Sequence, residues 1–214
     1  MKVEIKKKIC IIIFFILVFQ VILPIILGTN GQVLATEINS DRTEVKIEES
    51  WDISEGGDES VIAKFTKKDR TLTISGTGKM KDWSRDATED WHDTQYANFI
   101  EKIVINEGVT NISNNAFDNC IRLESITIPN TITSIGKYAF SNCISIETVE
   151  IPDSVIEIGD NVFDNCSKIK EINISAKVES IGESIGTYCN NLQAINVDPN
   201  NKNYSSDEGV FFDK

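Results

Sequence analysis

The chain has 214 residues, 41% of them hydrophobic, with 21 basic and 33 acidic side chains, one histidine and a formal charge of −12. So acidic a chain lacks the basic footprint that nucleic acid or anionic lipid requires, and the bland consequence of its charge is solubility. The length suits one compact domain or one short array of repeats.

Lys6, Lys7 and Lys8 precede an apolar run from Ile9 to Leu27, and Val33-Leu34-Ala35 offers small residues for cleavage before Thr36, so residues 1–35 read as a signal peptide. The run would just span a bilayer if left uncleaved, although Gln20 and Pro24 weaken that reading. On either reading the lysines stay inside and the rest goes out, which predicts an extracellular chain, secreted or associated with the cell surface. Cys10 opens the run instead of closing it, which excludes a lipid-attachment role. Without residues 1–35, 17 basic and 32 acidic residues remain, a charge of about −15. Residues 36–50, TEINSDRTEVKIEES, are polar and acidic with no apolar period and read as a flexible spacer.

Residues 51–100 read as an N-terminal cap. SVIAKFT alternates Val61, Ala63 and Phe65, TLTIS alternates Leu72 and Ile74, and KKDR between them predicts a β-hairpin with one buried face. Trp51, Trp83 and Trp91 all fall in this stretch. Tryptophan is a common anchor of interfaces, but an open solenoid end also needs sealing, and that role is expected here.

From Glu101 the chain divides into four 23-residue units over 101–192, with NAFDNC, YAFSNC and NVFDNC ending at Cys120, Cys143 and Cys166. Apolar columns recur at Ile103/Ile126/Val149/Ile172, Ile105/Ile128/Ile151/Ile174, Val109/Ile132/Val155/Val178, Ile112/Ile135/Ile158/Ile181 and Leu123/Ile146/Ile169/Leu192. A period between 20 and 29 residues with alternating β-branched residues predicts an α/β solenoid: a right-handed leucine-rich-repeat coil with parallel strands and short convex helices. Each unit is expected to run from a short strand, closed by Pro129 or Pro152, through Gly136, Gly159 or Gly182 into a helical turn. The strand turns its third and fifth residues inward and its second and fourth to solvent, exposing Ser125, Thr127, Thr148, Glu150, Glu171, Asn173 and, in the following segment, Asn196.

Equivalent atoms in stacked coils lie about 4.8 Å apart, so Cys120, Cys143, Cys166 and Cys189 should form a line. Tetrahedral zinc needs four sulfurs about 2.3 Å from one point, which a line does not supply, and parallel side chains at that spacing suit a disulfide poorly. A ladder of buried small side chains is the expected outcome, alongside a second ladder of Phe117, Phe140 and Phe163. The fourth place of the phenylalanine column is Gly186, and Ile185 and Tyr188 are expected to restore the lost volume.

The motif IPNTITSIGKYAFSNC, with its relatives at 105–120 and 151–166, resembles the BspA-type leucine-rich repeat of bacterial surface proteins. The resemblance covers about residues 51–214. It implies a surface-exposed adhesin or recognition module with no shared catalytic residue. Residues 193–214 resemble the longer unit that interrupts or closes such arrays. Relatives follow a stretch like GVFFDK with a second strand, so residues 193–214 are expected to be an atypical, truncated repeat presenting Val210, Phe211 and Phe212 as an unpaired apolar edge.

Chemistry is thin. The chain has no HExxH, GxSxG or phosphate loop. His92, between Asp90 and Asp93, suggests either a small metal or acid–base cluster or a solvated histidine. The run from Asp198 reaches Gly209 at the twelfth position, where a calcium loop needs Glu. No cofactor, no metal and no enzyme activity are expected. Glu101, Glu124 and Glu147 form an acidic column at the strand starts. Five strands about 17 Å long at about 4.8 Å spacing offer about 400 Å², against about 800 Å² per partner in a standard interface. The expected function is therefore weak or multivalent binding of an extracellular protein or glycan through the strand face. The alternative is self-association through Gly209 to Lys214, and an unrecognised extracellular enzyme or accessory module is a third reading.

Overall fold

The computed structural model describes residues 32–33, 48–92 and 94–214. The signal-peptide reading and most of the spacer fall outside the described residues. Among the latter, no helix is long and apolar enough to cross a membrane.

In chain order the strands are β1 (Gln32–Val33), β2 (Glu48–Asp52), β3 (Val61–Thr66), β4 (Thr71–Gly76), β5 (Lys102–Ile105), β6 (Asn111–Ile112), β7 (Ser125–Thr127), β8 (Ser134–Ile135), β9 (Glu157–Ile158), β10 (Glu171–Ile174), β11 (Ser180–Ile181), β12 (Ala194–Val197), β13 (Tyr204–Asp207) and β14 (Val210–Asp213). β2 starts at Glu48, so the last three residues of the expected spacer belong to the folded part. The hairpin β3–β4 forms as its alternation predicts, burying Val61, Ala63, Phe65, Leu72 and Ile74. β4 then pairs in parallel with β5, Thr71 opposite Lys102 and Ile74 opposite Ile105, so the hairpin's second strand is also the first rung of the parallel stack.

The first, second and fourth coils carry two strands each where the sequence suggested one, and the third carries β9 alone. Besides β5 and β7, the Ile112/Ile135/Ile158/Ile181 column builds a separate four-stranded parallel sheet, β6-β8-β9-β11. Two-residue strands give little local signal, because their pairing partners lie one full coil away.

The convex helices are absent, and the chain is a β-solenoid of about four turns. Asn115 and Asn119 sit at φ 57° and 63°, Tyr138 and Asn142 at 55° and 59°, and the pattern recurs at Asn161/Asn165 and Ser184/Tyr188. A left-handed residue breaks helical propagation, and asparagine tolerates that conformation better than most side chains. The backbone amides consequently alternate. Those of Asn115, Phe117 and Asn119 donate to Lys137, Ala139 and Ser141 on the next coil at 2.8, 2.9 and 3.0 Å. Those of Ala116, Asp118 and Cys120 close local turns onto Ser113, Asn115 and Phe117. The outer wall is thus bonded between coils, as a sheet is.

The glycine column serves the same closeness. A Cβ on Gly136, Gly159 or Gly182 would lie 2.5–2.6 Å from a backbone nitrogen of the preceding coil. Only glycine admits that approach.

The C-terminal segment differs from its expectation. β14 is not unpaired: it forms an antiparallel hairpin with β13, Tyr204 opposite Asp213 and Asp207 opposite Val210. Glu208 and Gly209, at φ 45° and 82°, make the two-residue turn whose twist suits a hairpin. Tyr204 packs on Phe211 at 5.2 Å, and its hydroxyl accepts a hydrogen bond from Ile181 N at 2.8 Å, covering the last rung of the second sheet. Ile195 N donates to Gly209 O at 3.0 Å, and Val197 N to Ser206 Oγ at 2.9 Å.

Candidate binding face

Ser125, Thr127, Thr148, Glu150, Glu171, Asn173 and Asn196 are all exposed, but they do not form one continuous sheet. Ser125 and Thr127 lie on β7, beside Lys102 and Val104 of β5. Glu171 and Asn173 lie on β10, beside Ala194 and Asn196 of β12. Thr148 and Glu150 stand between the two blocks on a segment that belongs to neither ladder. Proline accounts for part of this break. Just after their strands, Asn106 N and Asp198 N donate to the preceding coil at 2.9 Å, whereas Pro129 and Pro152, at the same place, have no N–H to give. The four-residue strands β5, β10 and β12 are those with Asn106, Ser175 and Asp198 at the proline's place.

Within the second block, Asn196 Nδ2 donates to Asn173 Oδ1 at 3.0 Å, which fixes both amides at the surface. The acidic column beside the face is partly neutralised. Arg70 pairs with Glu101, and Lys170 reaches Glu147 at 2.7 Å, a contact that holds the Glu147 carboxyl below its usual range. Glu124 is exposed.

The four thiols of the repeat are free and buried. Cys143, Cys166 and Cys189 donate Sγ–H to the carbonyls of Phe117, Phe140 and Phe163, each on the preceding coil, at 3.2, 3.0 and 2.9 Å. Burial pushes every one of these thiols above its ordinary pKa, which suppresses the nucleophilic thiolate. Among the described residues, no three His, Cys, Asp or Glu side chains gather as a metal site.

Phe117, Phe140 and Phe163 stack at 5.6 Å steps. Trp91 extends the column at 6.2 Å from Phe117 and is itself packed against Trp83 and Trp51 at 5.0 and 6.0 Å. All three tryptophans are buried, so none is exposed as a binding anchor. At the other end the column stops at Gly186. Ile185 is buried, but Tyr188 is 71% exposed and fills nothing, because its left-handed backbone turns it outward. The vacated place opens into a groove of about 320 Å³ lined by Ile181, Ile185, Gly186, Leu192, Ile195 and Phe211, among others.

His92 is neither a solvated histidine nor part of a metal cluster of described residues. Its ring lies 5.0 Å from Trp83 and 5.3 Å from Trp91, with Nε2 3.0 Å from Asn115 O. The function of this contact was not legible, because Asn115 is 23 residues away and nothing local marks it.

The profile of a BspA type leucine rich repeat region matches six copies between residues 94 and 213. The chain belongs to the BspA-type leucine-rich repeat family. Among solved structures, this BspA-type chain resembles a leucine-rich repeat protein from Eubacterium ventriosum at 27% identity and a TM-score of 0.62, over 78% of this chain and 48% of that one. It thus spans about half the length of that protein. It also shares its fold with the pneumococcal vaccine antigen PcpA, at 17% identity and a TM-score of 0.50, over 72% of this chain and 52% of that one. No curated protein matches the chain.

Proposed function

We propose that this BspA-type chain is an exported, non-catalytic recognition module that binds a protein or glycan on another surface through its strand face. The observation that carries this reading is the row of seven exposed polar side chains set opposite a buried apolar face. The lysine-rich, apolar N-terminus supports export, and membership of a repeat family that includes bacterial surface proteins supports a place at the cell surface. The face is small and interrupted at the third coil, so binding of useful strength requires several copies acting together. Its residues have separate roles: the Asn173–Asn196 pair presents fixed amides, Glu150 and Glu171 attract basic groups, and Ser125, Thr127 and Thr148 offer hydroxyls.

Thr127→Arg and Glu150→Lys test the reading. Each should abolish attachment of the protein to its target surface while leaving the circular dichroism and the melting temperature unchanged. Attachment that survives both substitutions places the site elsewhere.

A second reading is self-association through residues 209–214, favoured by the exposure of Val210 and Phe212 on the terminal hairpin. It predicts a mass that rises with concentration in light scattering and returns to that of a monomer in the Val210→Ser/Phe212→Ser double variant. A constant mass in the native chain excludes it.

A further inference from the structure

We propose that His92 is an acid-sensitive latch, whose protonation loosens the seam between the N-terminal segment and the first repeat coil. The seam is built from side chains and backbone of 80–92 meeting 113–117. Trp91 Nε1 donates to Ala116 O at 2.9 Å, Asn115 Nδ2 to Trp83 O at 2.6 Å, Ser113 Oγ to Met80 O at 2.7 Å, and Trp83 N to Asn114 O at 3.2 Å. His92 adds a titratable member to this set. Because Nε2 faces a carbonyl, it must carry the ring proton of the neutral tautomer. Nδ1 is then a bare acceptor, buried and without a hydrogen-bond partner among the described residues. A proton taken up from solvent goes to Nδ1 and places a full charge at a buried atom beside two indoles, away from water.

Several groups favour that charge. Glu89 and Asp90 lie on the same turn, and Asp118 approaches from the first coil. Asp90 is already engaged by Lys81 Nζ at 2.8 Å and Trp83 Nε1 at 3.1 Å, and Asp118 Oδ1 accepts a bond from Asn142. Trp51 and Tyr96, which pack on the other side of the aromatic cluster, bring no charge. Burial outweighs these attractions and lowers the His92 pKa below 6.5. The sign follows. The unfolded or opened form binds the proton first, so the seam is fully stable above about pH 6.5, and stability declines as pH falls from there through the lower closed-state pKa. Each unit of depression shifts the closed-to-open ratio about tenfold across that window.

The 214-residue chain offers a direct readout, since His92 is its sole histidine. Its imidazole resonance should titrate below pH 6.5, and the Trp91 indole N–H should lose exchange protection as pH falls from 7.5 to 5.5, by up to about tenfold, a decline that levels off below the His92 pKa. The resonances of residues in the third coil should stay put. His92→Gln keeps a side-chain N–H for Asn115 O and does not titrate, and it should hold Trp91 protection constant over that range. A His92 pKa at or above 6.5 overturns the proposal, as does a pH-independent Trp91 in the native chain or an unchanged pH response in His92→Gln. Should His92→Gln fail to fold, the titration of the native protein decides alone.

Discussion

At the scale of the residue, the least conspicuous side chains are the most constrained. Asn201 is 2% exposed and its side chain makes four hydrogen bonds. Its Nδ2 donates to Ser175 O and Val178 O, and its Oδ1 accepts from Asn203 N and Tyr204 N, all within 3.0 Å. Asn201→Ala strands two carbonyls and two amides, and should cost about 2–4 kcal/mol in urea unfolding. Cys143 is a parallel case. Cys143→Ala removes the Sγ–H that reaches Phe117 O and leaves a small void, for an expected loss of about 1–2 kcal/mol in the same assay. Thiol labelling at pH 8 should reach Cys189, the most exposed of the four at 9%, before Cys120, Cys143 and Cys166, which react only on unfolding. The regular spacing of the cysteines was visible from the sequence, but their carbonyl acceptors were not, since each lies 26 residues back. Asn201 stood in PNNKNY, a stretch that reads as loop, because its function depends on a coil the local sequence does not mention.

At the scale of the element, two glycines at neighbouring turns should respond oppositely to alanine. A Cβ on Gly182 meets Asp160 Oδ1 at 2.3 Å and Asp160 N at 2.5 Å, so Gly182→Ala must push two coils apart and should lower the melting temperature by several degrees. Gly186 meets only side-chain tips, Leu192 Cδ2 at 3.0 Å and Ile172 Cδ1 at 3.5 Å. The groove beside it gives Leu192 room to move. Gly186→Ala should therefore be neutral or raise the melting temperature slightly, as the unfolded chain loses freedom. The same contrast explains what could be read beforehand. The hairpin at 61–76 was legible because its alternation and turn lie within one short window. The convex wall was misread as helical because a run such as NNAFDNC carries no helix breaker except residues able to adopt positive φ, and that choice is settled by the neighbouring coil. The terminal hairpin was missed for a different reason: the apolar edge Val210–Phe212 was marked and Glu208-Gly209 signals a turn, but YSSD at 204–207 has too few apolar residues to mark the partner strand.

At the scale of the whole molecule, the described residues form a stack that begins with the antiparallel strands β1 to β4 and ends with an antiparallel hairpin. Between them, contacts are made with the adjacent coil. The period, the apolar columns and the parallel strands were all legible, because repetition multiplies a weak local signal. The interruption of the strand face at Thr148–Ile151 was not, since it arises in part from missing donors at two prolines and the hydrophobic pattern continues through it. On the proposed binding role, a ligand that lies across the coils would meet two strand-paired blocks with a strip outside either ladder between them. Point changes within one block should weaken attachment more steeply than changes at Thr148, measured as dissociation rate from a ligand-bearing surface.

The cross-coil bonds have a consequence for how such a chain can change length. Many of them join residues 23 apart, and the first and last coils never need to meet, as the ends of a closed barrel must. Copying residues 124–146 in tandem would therefore present the cross-coil backbone donors with backbone carbonyls one coil away. A change of a whole unit leaves the bonding rule intact, whereas loss of a single residue throws every later column out of line. Growth by duplication is thus built into the geometry: the number of coils is open to variation in a way that their internal length is not.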